Sequence, residues 1–350
     1  MLKPKNKGLF LDVSDFAILA ARTSGYKAPF TVEELSEFVL SGDDDAYDIR
    51  AFLEGLVDFR GASYFVSRCG VYPKGRFVHY HEFETVSKTK DLNTLSQVLE
   101  NEYGISATEN NVAILNAQDG SDLDPKSSLT KQILYCGGPT DALRQQQMRL
   151  LEWGVYPERM ELSTCATLGA ILNYADFKNI SSPILYLELT LESTNAFILN
   201  RGQLKISHVA AMGLNSIYPL LQRELGLKDE SSARKLFLSN TFDFAEIGPK
   251  LLARLTKELQ ATTGLYEVQT GQSIEHLFLG VLPGNLTWVE KTIADALALD
   301  ILKPSFEPWL ESLQIKVGDS VEVSNIRARW MGLFSLMAEF QAKEKGGDEA

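Results

Sequence analysis

Two stretches of the chain repeat one hydrophobic pattern. Residues 8–22 read G-L-F-L-D-V-S-D-F-A-I-L-A-A-R, and residues 184–199 read I-L-Y-L-E-L-T-L-E-S-T-N-A-F-I-L. In each, an apolar run ends on a carboxylate, Asp12 or Glu188. A short polar turn follows, holding Ser14 in one copy and Ser193 and Thr194 in the other, and then a second apolar run. Apolar runs of strand length around a polar turn predict a β-hairpin, here with an acid and hydroxyls at its tip. Two such hairpins opening two related halves set their tips facing across a cleft, as in duplicated domains that clamp one ligand.

The remaining pattern alternates between helical and strand periods. Thr31 precedes V-E-E-L as an N-cap with acids in the first turn, and Leu35, Phe38 and Val39 follow at helical spacing, which predicts a helix. Asp43, Asp44 and Asp45 read as a solvated loop before a second helix over residues 47–56. Residues 63–69 and 76–83, rich in Val, Tyr and Phe and separated by G-V-Y-P-K-G, predict strands. His79 and His81 share one face of the second, two thirds of a metal site, but no third ligand lies nearby and a half-exposed strand face explains them. A helix over 92–103 stops at Gly104, and a strand covers 112–115. The loop A-Q-D-G-S-D-L-D-P-K-S-S follows; its Ser128 three before Lys131 lacks the companion motifs of an acyl-enzyme.

A strand over 132–137 and helices over 140–151 and 165–172 close this half, with V-Y-P-E-R-M-E-L-S between the helices. The order is that of an α/β protein. After the second hairpin come a strand over 203–210 and helices over 215–225, 231–238 and 245–264, the last carrying Leu251, Leu252, Leu255 and Leu259 on one face. A strand over 276–281 breaks at P-G-N into a helix over 287–297, and I-L-K-P and F-E-P-W form a Pro-rich exit. Residues 327–340 predict a helix apolar on nearly all sides, suited to burial between domains rather than to a membrane surface.

Composition narrows the function classes. With 350 residues and 45 % hydrophobic content, two domains or one duplicated unit are expected. A net charge of −12 disfavours nucleic acid, whose non-specific affinity comes from clustered Lys and Arg. Cys69, Cys136 and Cys165 form no paired motif and read as reduced core thiols. The basic start, residues 1–7, leads into an apolar run cut by Asp12 and Asp15, too short and polar for a signal peptide. No apolar run of about 18 residues occurs, so no transmembrane helix is expected and the protein reads as cytoplasmic.

Two hairpin-opened α/β halves, with a strand breaking at Leu279-Gly280 near the end, resemble the actin-like superfamily, and within it the PilM family of type IV pilus assembly proteins. G-L-F-L-D-V-S is similar to that family's G-L-D-I-G-S. The run from I-L-Y-C-G-G-P-T-D-A-L to W-G-V-Y-P-E-R-M-E-L-S is similar to its strand and helix leading to A-G-L-x-P, and R-G-Q-L-K-I-S-H-V-A-A-M-G-L-N to its strand ending in G-G-N. The resemblance covers nearly the whole length. It implies duplicated actin-like (ribonuclease H-like) domains flanking a central cleft: residues 1–180, with an extra subdomain at about 84–130 like that of the cell-division protein FtsA, and residues 181–325. A helix over 326–342 would pack between them, and 343–350 would be a disordered tail.

In this superfamily the hairpin tips bind ATP phosphates with magnesium, and a Gly-rich turn holds the adenosine. The resemblance therefore implies Asp12, Ser14, Glu188, Ser193, Thr194, Gly213, Gly280 and Gly284 as nucleotide-contacting positions, with no catalytic residue and no direct metal ligand assigned. The pattern departs at all three elements: Val13, Asp15 and Phe16 stand where the family has small residues, Glu188 replaces Asp with Glu192 added, and Gly280 and Gly284 are separated. A carboxylate about 5 Å from a phosphate charge, at an effective dielectric of about 20, costs about 3 kcal/mol, more than a hundredfold in affinity. The expectation is a pilus-assembly scaffold with a degenerate nucleotide cleft. The resemblance implies as partners the cytoplasmic tail of a PilN-type bitopic inner-membrane protein and other pilus-assembly proteins, with the membrane reached only through the partner; residues 63–83 offer the docking strands. The alternatives are a competent Mg-ATP-dependent ATPase or kinase, tested at Asp12 and Glu188, and a type II secretion scaffold of the same fold.

Overall fold

The computed structural model describes residues 7–40, 45–57, 63–239, 241–322 and 326–338. The start of the basic N-terminus (1–6), Asp43, Asp44 and the tail 343–350 lie outside them. The chain opens with a meander of β1 (Gly8–Val13), β2 (Ala17–Thr23) and β3 (Phe30–Val39). The helix expected from Thr31 is therefore a ten-residue strand. Phe30 and Val32 are buried while Thr31 and Glu33 are half exposed, a period of two that the acids at 33, 34 and 37 mask in sequence. Next come α1 (Ala46–Leu56), capped by Asp45, which accepts from the Tyr47 N–H, and β4 (Phe65–Val71), parallel to β1.

Strand β5 (Phe77–Glu82), α2 (Leu92–Tyr103), β6 (Asn110–Asn116) and β7 (Gln132–Pro139) build a separate three-stranded sheet, β5-β7-β6, whose core seats Leu95 and Leu99 against Ile133 and Tyr135. Its strands β5 and β7 flank the stretch 84–130. Helix α3 (Thr140–Glu152), β8 (Val155–Leu162) and α4 (Ser163–Lys178) complete this half. V-Y-P-E-R-M-E-L is thus an edge strand, parallel to β4.

The second half repeats the plan with β9 (Ile184–Leu189), β10 (Thr194–Asn200), β11 (Gln203–Ala210), α5 (Tyr218–Leu225), α6 (Glu230–Ser239), α7 (Gly248–Thr270), β12 (His276–Gly280), α8 (Thr287–Leu297) and β13 (Asp300–Ile301). The sheet orders make the duplication explicit: β3-β2-β1-β4-β8 in one half and β11-β10-β9-β12-β13 in the other. In each, a three-stranded meander is extended by two strands parallel to its first.

The end of the chain then returns to the first sheet. Helix α9 (Phe306–Ser312) buries Phe306, Trp309 and Leu310 in one core with Phe10, Phe30 and Val32. β14 (Ile315–Val317) pairs with β3, so residues within the 181–325 stretch extend the first sheet. Helix α10 (Met331–Met337) is buried at every position and packs on α4 and β1, which is why its sequence is apolar all round. The core it enters also holds Ile184, Tyr186, Phe197 and Phe278 of the second sheet.

Candidate functional site

Asp12 lies next to the end of β1, 3 % exposed. Its Oδ1 accepts a hydrogen bond from the Ser163 hydroxyl at the start of α4, and its Oδ2 one from the Tyr72 hydroxyl at 3.3 Å. Backbone closes over the same carboxylate from two sides. A Cβ on Gly332 of α10 would stand 2.9 Å from Asp12 Oδ2 and 2.9 Å from Thr167 Oγ1, and one on Gly70 of β4 2.8 Å from Asp12 Oδ1. Burial pushes the carboxyl up to about 6, against the two hydroxyl donors, and the negative charge of Glu188 acts in the same direction as burial. Ser14 closes its own turn. Its hydroxyl accepts from the N–H groups of Phe16 at 3.2 Å and Ala17 at 3.1 Å, and donates to the Ala17 carbonyl at 3.1 Å. Asp15 is exposed and Phe16 buried, and both line the same cleft as Asp12 and Ser14.

Glu188, at the matching place in β9, is fully buried. Four side chains donate to it: Arg76 Nη2 at 2.6 Å, Tyr186 at 2.7 Å, Thr164 at 2.9 Å and Asn195 at 3.3 Å. Arg76 comes from the turn before β5 in the other half. Its Nε donates to Thr164 Oγ1 at 2.8 Å and its guanidinium lies 5.1 Å over the Tyr72 ring. Tyr72 thereby touches both acids' surroundings, with its hydroxyl on Asp12 and its face on the cation that neutralises Glu188. Nearer the surface Lys74 of the same turn pairs with Glu192 at 2.8 Å. The added acid at the second tip is therefore turned toward a lysine.

The second tip satisfies itself. Thr190 Oγ1 accepts from the N–H groups of Ser193 at 3.2 Å and Glu192 at 3.3 Å, and Thr194 donates to the Met212 carbonyl at 2.7 Å. A Cβ on Gly213 would lie 2.5 Å from backbone atoms of Glu192, so this glycine admits the hairpin's own backbone. At the turn after β12, a Cβ on Gly280 would stand 3.0 Å from the Tyr186 ring and one on Gly284 3.1 Å from the Arg329 guanidinium. Between them Val281 has φ 68°, a conformation that a β-branched residue adopts at a cost of about 1–3 kcal/mol.

Asp12, Ser14 and Gly284 line a common cleft of about 290 Å³, together with Glu37, Arg234 and Arg327. Glu188, Ser193, Thr194, Gly213 and Gly280 do not line it. Sequence reading missed Arg76, Tyr72, Ser163, Thr164 and Gly332, which determine the state of both acids. The one local signal was a Tyr, a Lys and an Arg packed into G-V-Y-P-K-G-R, a basic turn just ahead of a strand. His79 lies between the rings of Phe77, 5.9 Å away, and Tyr103, 4.5 Å away, while His81 meets the Tyr103 hydroxyl at 3.2 Å. Among the described residues no group of three His, Cys, Asp or Glu side chains is arranged to hold a metal ion.

No family model matches the sequence, and no curated protein matches it. Solved structures do resemble it. A chain of the PilM–PilN type IV pilus biogenesis complex aligns with 95 % of this chain and 98 % of its own, at 14 % identity and a TM-score of 0.68. A protein of actin-like ATPase fold and unknown function from Bacteroides thetaiotaomicron aligns at 10 % identity over 96 % and 98 % of the two chains, with a TM-score of 0.42. The cytoplasmic domain of EpsL, an inner membrane component of the Vibrio cholerae type II secretion system, aligns at 10 % identity over 95 % and 94 %, with a TM-score of 0.40. The chain has a duplicated actin-like α/β fold, similar over nearly its full length to a chain of the PilM–PilN complex, in line with the resemblance that its hairpins and strand motifs carry.

Proposed function

We propose that this protein is a cytoplasmic scaffold of a type IV pilus-like assembly machine, with a nucleotide cleft that has lost its magnesium-phosphate chemistry. Arg76 on Glu188 carries the reading: a guanidinium at 2.6 Å supplies internally the positive charge that a metal ion would bring to the second tip. At the first tip the Asp12 carboxylate packs against Gly70 and Gly332 and both its oxygens already accept from the Ser163 and Tyr72 hydroxyls, which compete with the waters that magnesium retains. Residues at both tips therefore fit a hydrated magnesium poorly. Among the described residues no helix is long and apolar enough to cross a membrane, in keeping with attachment through a partner.

The proposed partner is the cytoplasmic tail of a PilN-type bitopic inner-membrane protein, in line with the likeness to a chain of a PilM–PilN complex. An extended tail commonly binds by adding to a sheet edge. β4 is paired on both sides, by β1 and β8, so it cannot take a further strand. The outer side of β5 packs against β11, which leaves β8, the edge strand of the first sheet, as the candidate seat within residues 1–180. Isothermal calorimetry with the tail peptide is expected to show binding that persists in EDTA and without ATP. A flat titration with the correct tail would remove the proposal.

A second reading, an ATPase or kinase, draws on one observation. Asp12, Ser14 and Gly284 share a cleft with Arg234 and Arg327, cations suited to phosphate. Turnover of Mg-ATP that is lost in Asp12→Asn would favour it.

A further inference from the structure

On the other side of the turn at Pro283 and Gly284 lies a second groove, of about 520 Å³. Its floor is apolar, with Leu282, Leu286 and Ile301 among the lining side chains, and its rim carries Lys291, Lys303 and Arg327. The rim cations are all exposed; Lys303 acts electrostatically on Glu290, and among the described residues none of the three has a side-chain hydrogen bond or a close ion pair. The carboxylate lining the groove is Glu290, half buried, so local charge is positive in a chain of net charge −12. Ile301 belongs to the two-residue strand β13, the outer strand of the second sheet, which among the described residues is paired only on its β12 side.

We propose that this groove binds an extended acidic peptide segment of a partner protein, which adds to the free side of β13. Each feature matches a different part of such a ligand. The open strand edge offers main-chain hydrogen bonds, and alternate side chains of an added strand point to one face, so every second residue can enter the apolar floor. Carboxylates on the remaining positions meet Lys291, Lys303 and Arg327, and this charge complementarity selects an acidic strand over a basic one. Nothing in the inference rests on the pilus reading or on the state of the hairpin tips.

The test uses the full chain and a fluorescein-labelled eight-residue peptide alternating glutamate with valine, read by fluorescence anisotropy. The companion peptides carry glutamine or lysine in place of glutamate. The glutamate peptide is expected to bind at least about tenfold more tightly than the glutamine one, and to weaken at least about tenfold between 50 mM and 500 mM NaCl. Lys303→Glu and Lys291→Glu, both exposed, are each expected to weaken it about tenfold while leaving the thermal unfolding midpoint unchanged. Binding of the lysine peptide as tight as that of the glutamate peptide, or indifference to both charge reversals, overturns the proposal. So does displacement of the peptide by Mg-ATP, which would give the groove to nucleotide. Sedimentation velocity covers the remaining occupant: self-association lost in Lys303→Glu would assign the groove to a second copy of the chain and overturn the proposal as well.

Discussion

Arg76 and Glu188 join the two halves of the molecule through one buried ion pair, Nη2 to Oε2 at 2.6 Å, with the arginine side chain 8 % exposed and the glutamate not at all. Glu188 holds in β9 the place that Asp12 holds in β1, the first strand of the other meander. The pair ties the turn before β5 directly to β9.

Removing one partner of a buried pair strands the other. Arg76→Ala is expected to cost about 3–5 kcal/mol, because Glu188 would be left buried with only hydroxyl and amide donors. Arg76→Met combined with Glu188→Gln should recover most of that loss. Urea unfolding of both singles and the double gives the coupling energy, and a coupling near zero would contradict a role for the pair in joining the halves.

Gly213→Ala should destabilise by about 1–3 kcal/mol, since its Cβ would press on Glu192 backbone at 2.5 Å and backbone has little freedom to yield. Gly264→Ala should do the reverse. It lies inside α7 with nothing within 4 Å of a new Cβ, and helix propensity favours alanine there by about 0.5–1 kcal/mol. Thermal unfolding of both variants checks the opposite signs.

Burial holds the Asp12 carboxyl near 6, above its ordinary value of 3.8. The folded protein thus binds this proton more tightly than the unfolded chain does. The contribution is fully present below pH 3.8 and is lost as pH rises through about 6, a difference of about 3 kcal/mol at most. Asp12→Asn should flatten the fall in stability between pH 4 and pH 7. Identical pH profiles for wild type and variant in denaturant unfolding would rule this titration out.

Mg-ATP at millimolar concentration is expected to move the unfolding temperature by less than about 1 °C. A ligand present at a hundred times its Kd would add about 2.7 kcal/mol to the native state, several degrees in a protein of this size. A shift of that size in differential scanning fluorimetry would return the cleft to nucleotide.

Much of the secondary structure was legible because it is locally encoded. Residues 92–103 and 287–297 coincide with α2 and α8, and both hairpins form where apolar runs flank a polar turn. The failures were local signals overruled from afar. Gly264 read as the stop of a helix that continues to Thr270, where Gly271 adopts the left-handed cap at φ 67°. Phe30–Val39 read as a helix because acids interrupt its alternation; strand pairing with β2 on one side and β14 on the other decides it, and β14 lies some 285 residues away in the chain.

The sequence by itself determined the duplication: two apolar hairpins of matching pattern are a property of residue order, and they dictate two sheets of one topology. It also located the acids, Asp12 and Glu188, at corresponding strand ends. Only the tertiary structure decided what those acids meet. Ser163 stands 151 residues from Asp12 and Arg76 112 from Glu188, and Gly332 arrives on Asp12 from near the end of the chain. Contacts between residues so far apart leave no periodicity or motif behind, since each depends on how whole sheets and helices pack and not on any neighbour in sequence.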